Sequence, residues 1–79
     1  MKKITTVYEF PVIIEKESDR SYFAVAPTLQ GCYTSGKSFN EVLENIKDAI
    51  SVYVKDLKAE HRVIPKRKIL SFTSVEVLA

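Results

Sequence analysis

The sequence predicts an α+β fold, with one long helix packed on one face of a mostly antiparallel sheet in the order β-β-β-α-β. Three observations carry the prediction. Phe39, Leu43, Ile46, Ile50, Tyr53 and Leu57 recur at alternating steps of four and three, and Val42, Ala49 and Val54 widen the stripe. That is one broad apolar face at the helical period. Ser38 followed by Glu41 has capping-box spacing and marks the helix start, so the helix is predicted over Phe39–Ala59. The flanking segments alternate in polarity as strands do, and a helix with so wide an apolar face needs a sheet to lie on.

The first strand is predicted over residues 7–15. Tyr8, Phe10, Val12 and Ile14 fall on one face, and Val7, Glu9, Pro11 and Ile13 on the other. Pro11 has no amide hydrogen, so the strand is an edge, a bulge or a kink there. The polar run 16–21, KESDRS, reads as a turn, and residues 22–26, YFAVA, as a second strand ended by Pro27. The two should form an antiparallel hairpin. Residues 27–31, PTLQG, form a connector in which Gly31 is expected to hold a conformation that a β-carbon would hinder. A short third strand over 32–35 follows, and Gly36 with Lys37 leads to the helix cap.

Residues 59–68 read as a polar connection carrying His61, Pro65 and the basic run Lys66, Arg67, Lys68. The closing strand is predicted over 69–77, with Ser71, Thr73, Val75 and Val77 on one face and Leu70, Phe72, Ser74 and Glu76 on the other. A crossover through the helix would set it parallel to the third strand and hence to the first, with a right-handed connection. Serine and threonine on both faces suggest a strand only partly covered within one subunit. The segment Phe72, Thr73, Val75 and Val77 is therefore the expected oligomer contact, giving a homodimer or a homotetramer.

Composition bounds the function. At 79 residues the chain makes a single domain, 1–79, with 46% apolar and 28% charged residues, an ordinary balance for a folded soluble domain. A net charge of +2 is too small to indicate nucleic-acid binding by itself. One cysteine excludes an internal disulfide and a multi-cysteine metal site. No run approaches a membrane span or a signal peptide, so the expected location is cytoplasmic.

No reactive constellation assembles. His61 stands alone in a charged segment, and a lone cysteine in a strand, Cys32, is more often buried packing than a nucleophile. Capping accounts for Glu41 and helix solubility for Glu44. Gly36-Lys37-Ser38 lacks the spacing of a phosphate loop, and the run 66–68 reads as a solvated connector. Tyr8, Phe10, Tyr22, Phe23 and Phe72 could stack on bases in a sheet-based RNA binder, but most are expected to fill the core. No cofactor and no metal are expected, and no enzymatic role.

The run 22–36, YFAVAPTLQGCYTSG, followed by Ser38, Glu41, Leu43, Asn45, Ala49 and Ile50, resembles the N-terminal domain of HicB-type antitoxins. The opening residues 11–15, PVIIE, Ile64-Pro65 after the helix and Val75-Glu76-Val77 fit the same pattern in order. Pro27, Gly31, Cys32, Gly36, Ser38 and Glu41 carry the structural motif. The resemblance implies a partial ribonuclease-H-like domain without catalytic residues. It also implies a protein that binds and silences a small HicA-type messenger-RNA ribonuclease by occlusion. Many members add a C-terminal DNA-binding domain, which this chain is expected to lack. Gln30 stands where the family usually has proline, Ser21 where glycine is common, and Val42 and Ile46 where alanines are usual. Because a partner that binds RNA is expected to be basic, docking is expected at a local acidic patch, Glu15, Glu17 and Asp19. The alternative is an oligomeric binding module of the same fold that serves no toxin.

Overall fold

The computed structural model describes residues 7–66 and 73–79. Three short antiparallel strands are followed by one long helix: β1 (Ile13–Lys16), β2 (Tyr22–Val25), β3 (Tyr33–Gly36) and α1 (Phe39–Ala59). The strands lie in sequence order, and the register places Ile14 beside Ala24 and Ala24 beside Thr34. This is the expected α+β class and element order as far as the helix.

β1 begins later than the alternation predicts. Tyr8 and Phe10 alternate with the exposed Val7 and Glu9, whereas residues 10–14 are all half-buried, and, among the described residues, the segment 7–12 has no strand to pair with. The Ala26 carbonyl, just past β2, accepts the Leu29 N–H (3.0 Å) and so turns into the connector. Pro11 has no hydrogen to give a ladder. The same connector moves the start of the third strand from residue 32 to 33. The Cys32 N–H donates to the Leu29 carbonyl (3.1 Å), and its carbonyl accepts the Ala26 N–H (2.9 Å). Residues 26–32 thus close on themselves around the buried Leu29 side chain.

The helix follows the expected stripe. Its cap is Ser38, whose Oγ accepts the Glu41 N–H at 3.0 Å. The Glu41 carboxylate reaches back to the Lys37 N–H at 3.3 Å, one residue beyond the usual capping-box donor. Val42 and Ile46 are fully buried against Ala24 and Ala26, which are also fully buried. Small strand residues opposite large helical ones let the two layers close without a void. Asn45 ties the layers together, its Nδ2 donating to the Ser35 carbonyl at 2.9 Å. Phe39, expected inside, is about half exposed and meets Tyr22 edge-on.

The 21-residue helix runs about 32 Å, whereas four-residue strands span only about 13 Å. Its second half therefore lies beyond the sheet, over the extended segment 7–12. There Phe10 and Val12 join the core, and the Lys58 ammonium sits 5.4 Å from the Tyr8 ring centre. The helix ends in a Schellman motif: the Arg62 N–H donates to the Leu57 carbonyl (2.8 Å) and the His61 N–H to the Lys58 carbonyl (3.1 Å). His61 holds the left-handed position, with φ at 56°, where glycine is usual.

The expected closing strand falls partly outside the described residues. Phe72 is among those outside, while residues 73–79 are in neither helix nor strand and are exposed. No helix among the described residues is long and apolar enough to cross a membrane.

Two glycines serve opposite ends. Gly31 has φ at +75° with open space around it, so torsion selects it, not crowding. A β-carbon on Gly36 would lie 2.7 Å from the Val42 nitrogen and 2.9 Å from its Cα, both backbone atoms. Gly36→Ala is therefore expected to lower unfolding stability in urea by about 1–3 kcal/mol through forced separation of β3 and the helix. His61→Gly, at the left-handed helix end, is expected to raise it by up to about 1 kcal/mol. A loss from His61→Gly would show that the side chain makes a contact outweighing its torsional strain.

Candidate functional site

The helix covers one face of the sheet, and among the described residues no element covers the other. Tyr22, Ala24 and Thr34 point to the helix side with Ile14, so alternation sends Ile13, Glu15, Phe23, Val25, Tyr33 and Ser35 to the opposite side. The register aligns them in two cross-strand rows, Ile13–Val25–Tyr33 and Glu15–Phe23–Ser35. Phe23 and Tyr33 meet diagonally, with ring centres 5.8 Å apart and planes tilted by 33°. Tyr33 is 62% exposed. An aromatic pair flanked by two β-branched residues on a solvated sheet face is a surface suited to docking another protein.

The sequence pointed to the acidic hairpin as the contact, and the structure divides its three carboxylates. Glu15 lies at the edge of the open face, in the same row as Phe23. Glu17 opens the turn, its N–H donating to the Ser21 carbonyl (2.7 Å) while its carbonyl accepts the Arg20 N–H (3.1 Å). Glu15 and Glu17 are exposed. Asp19 is engaged within the turn: its carboxylate accepts the Ser21 N–H at 3.0 Å and the Ser21 hydroxyl. Those bonds to Ser21 hold its pKa below the usual carboxylate value. The turn also carries Arg20 in a left-handed conformation, φ 72°. Lys16, next to Glu15, points to the other face, 5.9 Å from the Tyr22 ring centre, so the cation does not neutralise the acidic edge.

The remaining candidates have structural places. Cys32 is a buried free thiol in the connector, and burial pushes its pKa up, away from a nucleophilic thiolate. Pro27 and Gly31 shape that connector, Gly36 admits the helix, and Ser38 and Glu41 cap it. Thr73, Val75 and Val77 lie exposed in the tail. Among the described residues no three His, Cys, Asp or Glu side chains cluster as metal ligands.

The sequence led us to expect most of Tyr8, Phe10, Tyr22, Phe23 and Phe72 in the core. Tyr22 and Phe10 do pack there, but Phe23 lies on the opposite face with Tyr33. The signal was present in YFAVA: once Ala24 and Ala26 are core residues, Phe23 and Val25 must face away.

A family model described as the HicB-like antitoxin of bacterial toxin-antitoxin systems matches residues 10–76. The chain is 41% identical over 64 residues to the UPF0150 protein ssr1765 of Synechocystis, covering 81% of both chains. It is 40% identical to a UPF0150 protein of Helicobacter pylori, over 82% of this chain and 89% of the relative. A third UPF0150 protein, Ta0767 of Thermoplasma acidophilum, is 43% identical over 73% of this chain and 84% of its own length. No solved structure matches the chain.

The hairpin chemistry can be checked by titration. Ser21→Ala should move the Asp19 carboxyl pKa up toward its model-compound value of 3.8, read by NMR. Because the folded pKa is depressed, the stabilisation from these bonds is present above the unfolded value and is lost as pH falls through the folded one. The stability gap between wild type and Ser21→Ala should therefore be full at neutral pH and narrow in acid. A gap independent of pH would mean that the carboxylate is not its source.

Proposed function

This chain belongs to the HicB-like antitoxin family, and from that premise we propose that it neutralises a HicA-type messenger-RNA ribonuclease by covering it. The observation that carries the reading is the family match, which spans the sheet, the connector and the whole helix. The open sheet face supplies the means. Phe23, Tyr33, Val25 and Ile13 offer an apolar centre, and Glu15 and Glu17 offer carboxylates at its edge. A ribonuclease must present cations to the phosphates of its substrate. A protein that places carboxylates against those cations, and an aromatic pair beside them, competes with RNA for the same surface.

The inhibition needs no chemistry from this chain. His61 ends a helix, Cys32 is buried away from base and solvent, and the Asp19 carboxylate already accepts two bonds from Ser21. The proposed protein acts in the cytoplasm, where messenger RNA is found, and acts stoichiometrically.

The test is a titration of the chain into a HicA-type ribonuclease from the same genome, following RNA cleavage and complex mass together. Cleavage should stop near one equivalent of antitoxin with a stable complex. Replacing Phe23 by Ala should weaken the complex by about 2 kcal/mol, or roughly thirtyfold, as expected for a central aromatic anchor. Charge reversal with Glu15→Lys and Glu17→Lys should slow association and remove most of its salt dependence. A ribonuclease left fully active at excess, with no complex formed, would defeat the proposal and leave an oligomeric binding module without a toxin.

A further inference from the structure

The two cross-strand rows on the face away from the helix carry one charge. Phe23 is the direct neighbour of Glu15 on one strand and of Ser35 on the other, so its ring stands between a carboxylate and a hydroxyl. Neighbours of this kind hold their β-carbons about 4.5–5.5 Å apart, close enough to meet one bound group together. Tyr33 adds a second ring on the diagonal, 5.8 Å from Phe23 centre to centre. Glu15, Tyr33 and Ser35 are all exposed.

The chain does not use these groups itself. The rings that meet a cation are elsewhere: Lys16 sits over Tyr22 and Lys58 over Tyr8. Among the described residues no cation stands over Phe23 or Tyr33, and the Glu15 carboxylate has neither an ion pair nor a hydrogen bond. The face of an aromatic ring carries partial negative charge, so rings and carboxylate favour the same occupant, a cation. Their positions are already set. β2 is paired on both sides, and Asn45 holds the Ser35 carbonyl at 2.9 Å. A cation arriving there orders little that is not ordered beforehand.

We propose that this corner of the sheet is a receptor for a single arginine side chain of the docked partner, its guanidinium laid on the Phe23–Tyr33 pair and donating to the Glu15 carboxylate. The proposal rests on the reading that this face meets the ribonuclease, and it adds the residue type that the partner supplies at the contact. Arginine fits better than lysine. A guanidinium is flat and can lie on a ring while its N–H groups reach a carboxylate in its own plane, whereas an ammonium is more strongly hydrated and has no flat face. One carboxylate matches one guanidinium, and Lys16, directed over Tyr22, does not compete for it. Glu17, in the turn beyond the strand pairing, lies outside the receptor.

The test has one arm without the ribonuclease and one with it. Capped Gly-Arg-Gly and Gly-Lys-Gly peptides are titrated, at equal ionic strength, into the chain with ¹³C-labelled aromatic rings. The arginine peptide should shift the Phe23 and Tyr33 ring signals and bind at least about threefold more tightly than the lysine peptide. Phe23→Leu keeps apolar area and loses the ring; Glu15→Gln keeps the shape and loses the charge. Each should erase the preference, with the amide spectrum reporting an intact fold. In the complex, Glu15→Gln should weaken binding about tenfold. A cycle against arginine-to-alanine variants of the ribonuclease should find one arginine whose loss leaves Glu15→Gln nearly silent. Equal response to the two peptides, or an arginine preference that survives Phe23→Leu, would overturn the proposal. A tight complex whose affinity Glu15→Gln leaves unchanged would also overturn it, while the antitoxin reading stands. Selective, Glu15-dependent binding of the arginine peptide with no ribonuclease complex would support the receptor and defeat that reading instead.

Discussion

The distance between β3 and the helix governs this structure. Gly36 allows the Val42 backbone to come within reach of a position any β-carbon would occupy, and the Asn45 amide then finds the Ser35 carbonyl one residue earlier in the strand. With the helix at that height, only alanines fit beneath it at positions 24 and 26 of β2 and its extension, and Val42 and Ile46 fill the remaining space. A larger residue at either alanine would lift the helix off Gly36; a larger residue at Gly36 would open the seat of Ile46. Layer spacing, strand composition and helix register are thus one constraint expressed at three places.

That constraint also decides what the outer face can be. Strand side chains alternate, so committing Ala24 to the inside commits Phe23 and Val25 to the outside. The bulk excluded from the inner face of β2 reappears on the outer face, where it meets Tyr33 from β3 and Ile13 from β1. The exposed aromatic pair is a consequence of a tight helix seat, and the docking proposed for it uses surface that a small core cannot cover. A chain of this size cannot bury both faces of its sheet with one helix.

The sequence made the helix legible to the residue, because its two signals are local: a capping serine with a glutamate three residues on, and an apolar stripe at a single period. Strand limits were less legible because they depend on what lies opposite. Nothing in residues 7–12 reveals that the Ala26 carbonyl is spent on Leu29, which is what stops the ladder at Ile13. The two glycines look alike in sequence and differ in cause, torsion at Gly31 and crowding at Gly36. His61 invited a chemical reading as the lone histidine, yet its position is set by the turn that ends the helix. The acidic hairpin was visible as charge, but not as one carboxylate bonded within the turn and two left exposed. That division follows from Ser21, whose N–H and hydroxyl both reach Asp19. The expected closing strand falls partly outside the described residues, and residues 73–79 are assigned to neither helix nor strand.

A chain of net charge +2 proposed to meet a cationic ribonuclease presents an electrostatic question, and the fold supplies the answer. Surface charges interact over a Debye length of about 8 Å at physiological salt, so the field at a docking face is set by its own neighbours and not by the total. Alternation along β1 puts Glu15 on the open face and sends Lys16 to the other side, over Tyr22. Lys58 sits at the far end of the helix over Tyr8, and Lys47 is paired with Glu44 on the outer helix surface. Among the described residues Lys47, Lys55 and Lys58 are carried on the helix and Lys16 on the covered side of the sheet, whereas Arg20 shares the turn with Glu17 and Asp19; Glu15 is the charge that the strands set beside Phe23. Strand pleating therefore separates Glu15 from Lys16, neighbours in the sequence, and leaves the carboxylate on the face that carries Phe23 and Tyr33.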